Sequence, residues 1–212
     1  MTTSRSAYPQ FLYGPLLLGA YGLLRILDGL DGERGPGPAW TAGHLCFLAG
    51  VLLLVLGYHR IRPLTLDTRL TTAAFWTTCA GALALGVQFT ADVVSGFAAA
   101  DHQAMSDIVG RFMAIPGVEP AFYAYGPLLF FLGQLTLTVQ LAARKVLKPW
   151  APPLVLADSL LAYADKDLIP LGAALLLYSY APLYRGRVLV AEGDNVPLAQ
   201  GQRGGRGEGT GA

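Results

Sequence analysis

Asp92 stands in the stretch GVQFTADVVSG, Gly86–Gly96, inside a run that otherwise reads as oily helix. A charge near the centre of a bilayer costs at least about 2.5 kcal/mol, so an ionisable side chain within a span is a candidate functional group by default. Gln88 lies one turn earlier on the same helical face. Arg25 and Asp28, three residues apart, share a face at the end of the first apolar run, and His44 follows Trp40 at the start of the second. Burial favours the neutral form of a carboxyl group, and a neutral carboxylic acid is a proton donor. The apolar runs also supply Phe75, Trp76, Phe89, Phe97, Phe122, Phe130, Phe131, Tyr178 and Tyr180. Aromatic faces stabilise cations, more strongly where water is excluded. A proton donor in a dry aromatic cavity suits protonation of a terminal alkene or epoxide, followed by guided carbocation cyclisation. The expected catalytic set is Asp92 as general acid, with His44 and Gln88 orienting or recharging it. Trp76, Phe89, Tyr123, Tyr125 and Arg25 are expected to line the substrate.

Each of these residues has a plainer role to set beside that one. Arg25 can neutralise Asp92 as a structural pair, with Gln88 adding a hydrogen bond. Asp28 is near enough to the interface to be solvated, and His44 beside Trp40 can be an interface anchor. Any single aromatic can be ordinary packing. Asp158, on a short proline-rich segment, is ambiguous. Asp31, Glu33, Asp165 and Asp167 read as solvated loop charges.

The elements that must position these residues are membrane helices. Of 212 residues 53% are hydrophobic and 14% charged, against about 25% charged in ordinary soluble domains, and mean hydropathy is +0.46. The predicted fold is an all-α polytopic bundle of about six spans, roughly Pro9–Leu27, Trp40–Tyr58, Thr71–Phe97, Ala121–Ala143, Trp150–Tyr163 and Leu168–Tyr184. The bundle domain covers 1–190, and a Gly/Arg-rich tail, 191–212, is expected to be disordered. The fifth span is short of the 20 or so residues a crossing needs. Arg60, Arg62 and Arg69, then Arg144, Lys145 and Lys148, then Arg185 and Arg187 follow alternate spans, while the other connections are acidic. The positive-inside rule therefore places both termini in the cytoplasm. Asp92, His44, Arg25, Asp28, Tyr123, Tyr125, Tyr163 and Asp165 then converge on one level, near the outer interface. The N-terminus lacks a small-residue cleavage site, so the first helix is expected to be retained.

Met105, Ile108, Val109, Phe112 and Met113 recur at helical spacing, predicting an amphipathic helix on the outer surface that acts as a brace or as a lid. Gly43, Gly50 and Gly57 form one stripe and Ala82 with Gly86 a small-xxx-small pair, both expected to pack helices. FLYGPLLL at Phe11–Leu18 echoes FYAYGPLLF at Phe122–Phe130, the kind of internal echo left by an inverted repeat. Cys46 and Cys79 form no CxxC, GxSxG and HExxH are absent, and the three histidines are far apart. No metal or cofactor is expected, and no basic patch with interleaved aromatics marks a nucleic-acid partner.

The layout LRILDGLDGERGPGPAWTAGHLCFLAG, then QFTADVVSG, then YGPLLFFLGQL with RKVLKPWAPP resembles small bacterial polytopic membrane proteins that include integral-membrane terpene cyclases of meroterpenoid pathways. The resemblance runs to Tyr184. It implies cyclisation of a farnesyl group on an indole or diketopiperazine, a multi-pass location in the bacterial inner membrane, and the pathway's prenyltransferase as partner. Its other implied partners are the lipid-like prenylated substrate and membrane lipid. In membrane terpene cyclases buried acids start the reaction, which points to Asp92 first and Asp28 second. No DDxxD-type cluster is present, and DGLDGE is broken by glycine, which favours proton-initiated chemistry over diphosphate ionisation. A small proton-coupled carrier and a non-catalytic accessory membrane protein are the alternatives.

Overall fold

The structure, a computed structural model, describes residues 3–30, 32–66, 68–186 and 188–191. It is helical apart from one antiparallel pairing of β1 (Thr3–Ser6) with β2 (Val188–Ala191). The helices are α1 (Gln10–Asp28), α2 (Pro38–Ile61), α3 (Thr68–Ala98), α4 (His102–Met113), α5 (Tyr125–Ala143), α6 (Ala151–Ala164), α7 (Ile169–Ser179) and α8 (Ala181–Tyr184). A π-helical turn, Glu119–Ala124, leads into α5. Among the described residues, four helical stretches are long and apolar enough to cross a membrane: Gln10–Asp28, Pro38–Leu64, Arg69–Ala98 and Glu119–Ala143. At about 1.5 Å per residue, the 14 residues of α6 reach only about 21 Å. Asp31 and Arg187 lie outside the described residues, as does the predicted tail from 192 onward.

Six helices pack in a closed ring, in the order α1, α2, α3, α5, α6, α7 and back to α1. The chain enters and leaves at one end, where β1 meets β2 and the Tyr8 amide donates to the Leu183 carbonyl at 3.1 Å. That end carries the arginine-rich loops and is called the basic end below; the opposite, acidic end carries Asp28, Asp101 and Asp165.

The seams of the ring follow from small residues. The stripe Gly43, Gly50 and Gly57 faces α1, against Tyr21, Gly14 and Phe11 respectively. Along α3 and α5, Gly81 lies against the Phe130 backbone, and Gly133 against Thr78 and the Ala74 carbonyl; a Cβ at either position would collide. Gly86 differs, with nothing within 4 Å of where its Cβ would stand. The expected pair Ala82/Gly86 therefore faces an open groove rather than a neighbouring helix, because close approach on α3 is made at Gly81 instead.

Pro182 cannot donate to the preceding turn, and the last helical stretch breaks at Tyr180, between α7 and α8. Tyr180 is fully buried there. The predicted surface helix is α4, started by Asp101, whose Oδ1 accepts from the Ala104 amide at 2.8 Å. It buries Met105, sets Phe112 6.5 Å from Tyr123, and is tied to the 30s loop where His102 Nδ1 meets the Arg34 carbonyl.

Candidate functional site

At the acidic end, α2 and α3 are joined through three side chains. Trp40 Nε1 donates to the Asp92 carbonyl at 3.0 Å, and Ser95 Oγ donates to the same oxygen at 2.9 Å. His44 Nδ1 lies 2.7 Å from the Trp40 carbonyl. A carbonyl only accepts, so Nδ1 carries a hydrogen and Nε2 is the nitrogen left to face Asp92. The gap from Nε2 to Asp92 Oδ2 is 3.7 Å, with the two side chains 6% and 15% exposed. An aromatic layer closes beneath them. Phe47 stacks on Phe89 at 3.6 Å, Tyr21 meets both edge-on at 5.1 and 5.3 Å, and His44 touches Trp40, Phe89 and Tyr21 at 4.1, 5.2 and 5.5 Å.

Arg25 is not the counter-ion of Asp92. Its Nε donates to Asp167 Oδ1 at 3.1 Å, while Arg34 Nη2 donates to Asp167 Oδ2 at 2.7 Å. The turn before α7 brings Asp167 between the two guanidinium groups, so this expected solvated loop charge is clamped. Lys166, beside it, is exposed over part of its surface. Desolvation and then the Arg25 charge hold its ammonium below the usual lysine range, with Asp92 opposing. Asp28 is half-buried and lines a recess of only about 10 Å³ with Tyr21, Arg25, Trp40 and His44.

The other expected residues divide. Gln88 and Phe89 are buried under Asp92. The half-buried Tyr123 has a buried hydroxyl with no hydrogen-bond partner among the described residues. Tyr125 is 69% exposed, and Trp76 is 63% exposed, 16 helical residues or about 24 Å from Asp92 along α3. Trp76 packs on Phe75 at 5.6 Å and stands apart from the cluster.

A second polar group lies at the centre of the ring. A cavity of about 40 Å³ is lined from all six helices, by Leu18 of α1, Phe47 and Val51 of α2, Leu85 of α3, Phe130 and Phe131 of α5, Ala162 of α6, and Ile169, Ala173 and Leu176 of α7. Its polar side chains are Gln134 of α5 and Asp158 of α6. Asp158 is buried, with no cationic side chain within 4.0 Å among the described residues. Its Oδ2 accepts from Gln134 Nε2 at 3.4 Å. Gly172 leaves room for it on α7, since a Cβ there would collide with Oδ1. Gln134 Oε1 in turn accepts from the Tyr58 hydroxyl at 3.0 Å, Tyr58 meets Tyr180 at 2.9 Å, and Tyr180 meets Thr138 at 2.9 Å. Thr138 Oγ1 donates to the Gln134 carbonyl at 2.8 Å. Three hydroxyl hydrogens serve these four contacts, so the Tyr180 hydrogen goes either to Tyr58 or to Thr138.

The sequence signals for this centre are the polar residues Gln134 and Asp158 within otherwise apolar runs. Tyr58 carries no such signal, and Tyr180, expected as one of several cation-stabilising aromatics, joins the centre through its hydroxyl. Cys46 and Cys79 are free, and no group of three or more metal-ligating side chains occurs among the described residues. The chain matches no protein-family model, no curated protein and no solved structure.

Proposed function

We propose that the chain is an integral-membrane terpene cyclase that protonates a prenyl chain and guides the resulting carbocation to a ring. The observation that carries this reading is the Asp158 carboxyl group in an apolar cavity walled by all six packed helices. With the arginine-rich loops cytoplasmic, six crossings leave both termini inside, and Asp158 falls at mid-depth, where an ionised carboxylate is costly. The acid gives its hydrogen to the CH carbon of the terminal (CH3)2C=CH group, forming a C–H bond and leaving a tertiary cation on the dimethyl-substituted carbon. The next double bond donates its π pair to that cation and closes a C–C bond. The final cation loses a proton back to the carboxylate, so the product is an isomer of the substrate. Phe47, Phe130 and Phe131 line the cavity, where aromatic rings can stabilise the cation, and the apolar wall keeps water from capturing it.

Asp92 is separated from this cavity by the layer of Phe47, Phe89 and Tyr21, and its reading here is the outer tie between α2 and α3. The test is to incubate membranes bearing the chain with a farnesylated acceptor. A cyclic product of unchanged mass is expected, and Asp158→Asn should lose it while the protein accumulates normally. A wild type that cyclises no prenylated substrate ends the proposal.

A proton-coupled carrier is favoured by one other feature. The ring order maps onto itself when α1, α2 and α3 are exchanged with α5, α6 and α7, matching the echo of YGPLL at the start of α1 and of α5. That reading requires pH-driven uptake into proteoliposomes without any change in the solute.

A further inference from the structure

Helices α2 and α3 are tied at the acidic end but part at mid-depth. There a groove of about 270 Å³ opens on the flank of the ring, lined by apolar side chains with Cys79 and Gly86. Both helices meet the length and apolarity of membrane spans along this stretch, so the medium outside the groove is hydrocarbon, and the side chains offer nothing to a polar guest. The floor of the groove is Phe47, Val51 and Leu85, and the same three residues form the wall of the central cavity. One layer of side chains therefore separates bilayer from cavity. At about 10–15 Å³ per water-sized occupant, the 40 Å³ cavity holds the tip of a chain rather than a whole one. The rest of a long guest must lie elsewhere, and the groove is the adjoining space.

We propose that the α2–α3 groove is a lateral portal for one prenyl chain dissolved in the bilayer, whose tip passes Phe47, Val51 and Leu85 to reach Asp158 and Gln134. The outer tie of Trp40, His44 and Asp92 holds the two helices together above the opening, so their mid-sections can part without the ring coming apart. Naming the guest a prenyl chain rests on the cyclase reading; the route itself is tested by occupancy rather than by turnover.

The probe is a farnesyl alcohol carrying a terminal alkyl diazirine, photolysed in membranes that contain the full chain, with labelled peptides located by mass spectrometry. Alkyl diazirines react well with carboxyl groups, so labelling is expected at Asp158 and on the groove segments 47–55 and 79–86. Gly86→Phe fills open space and should lower Asp158 labelling at least about tenfold, equivalent to about 1.4 kcal/mol of lost occupancy. Leu128→Phe, on the exposed flank of α5, should leave it unchanged. Labelling of Asp158 that survives Gly86→Phe in a folded protein overturns the portal, as does wild-type labelling confined to other helices. Labelling at Asp158 without any cyclic product supports the portal and removes the cyclase reading alone.

Discussion

His44 Nε2 faces Asp92 Oδ2 across 3.7 Å, and the hydrogen on the opposite ring nitrogen is held by the Trp40 carbonyl. The contact sits at the α2–α3 seam, which the Trp40 Nε1 bond to the Asp92 carbonyl closes at 3.0 Å without any guanidinium. An imidazole lacks the permanent charge of arginine, so the join does not depend on a fixed cation at this depth. It also fixes which nitrogen faces the acid, since the Nδ1 hydrogen is already used.

If Asp92 ties helices rather than protonating substrate, Asp92→Asn should be mild. The amide can donate to His44 Nε2, and the backbone bonds from Trp40 and Ser95 do not involve the side chain. Thermal stability in detergent should stay within about 1 kcal/mol of wild type, and cyclisation within a few-fold, on the order of 1 kcal/mol in barrier. Folded Asp92→Asn protein that has lost all product would instead make Asp92 the acid. His44→Phe keeps the tilted ring contact with Phe89 but removes the imidazole facing Asp92, and should cost about 1–3 kcal/mol.

Asp158→Asn should lower the rate by about 10²–10⁴, the usual worth of a general acid. The amide is nearly the same size, and its oxygen can still accept from Gln134, so the melting temperature should hardly move. Gln134→Leu is the contrasting variant. It removes the hydrogen bond to the Asp158 carboxyl and leaves Tyr58 only its contact with Tyr180, so it should lower stability by about 1–3 kcal/mol as well as activity. Equal loss of fold in both variants would make Asp158 a structural residue.

Two glycines on one helix should respond in opposite ways to the same added methyl group. A Cβ at Gly81 meets the Phe130 backbone, which cannot move aside as a side chain can. Gly81→Ala should therefore cost about 1–3 kcal/mol or more through overpacking. Gly86→Ala adds its methyl to open space and removes a helical glycine, worth about 1 kcal/mol in its favour. Melting curves of the two variants in one detergent decide the matter.

Much of the frame was legible because membrane spans are long, apolar and bounded by charged loops. The long helices fall close to the predicted spans, α4 lies where Met105, Ile108 and Phe112 placed it, and the Gly43/Gly50/Gly57 stripe packs as its spacing implied. The pairings were less legible. Arg25 and Asp92 lie at similar depth, but depth says nothing of azimuth, and the turn before α7 carries Asp167 to Arg25 from 142 residues away. Ala82 and Gly86 carry the right spacing for a helix contact, and only the offset to Gly81 decides which face meets α5. The central network was hidden for a related reason. Tyr58 ends a predicted span, where tyrosine is expected at an interface, and Tyr180, between α7 and α8, gives no sign in the sequence that its hydroxyl meets that of Tyr58.

Lys166 gives a pH signature at the acidic end. Its pKa in the folded protein is held below the usual lysine value of 10.5, by desolvation first and by the Arg25 charge second, with Asp92 pulling the other way. The folded state therefore binds fewer protons than the unfolded chain between the depressed value and 10.5, and stability rises with pH across that window. Below the window the charged ammonium is a net cost. Lys166→Met should thus be more stable than wild type at pH 7, and its advantage should shrink as pH rises towards 10.5. Part of the residue is exposed, so solvent screens the interaction and the sign rather than the size is the test. Tyrosines also titrate at high pH, but they are common to both proteins and cancel in the difference. Thermal melts of the two proteins between pH 7 and 10.5 measure it directly. A variant less stable than wild type at pH 7 would mean that the ammonium's attraction to Asp92 outweighs its desolvation, and that Asp92 is satisfied from the α6–α7 turn as well as by His44.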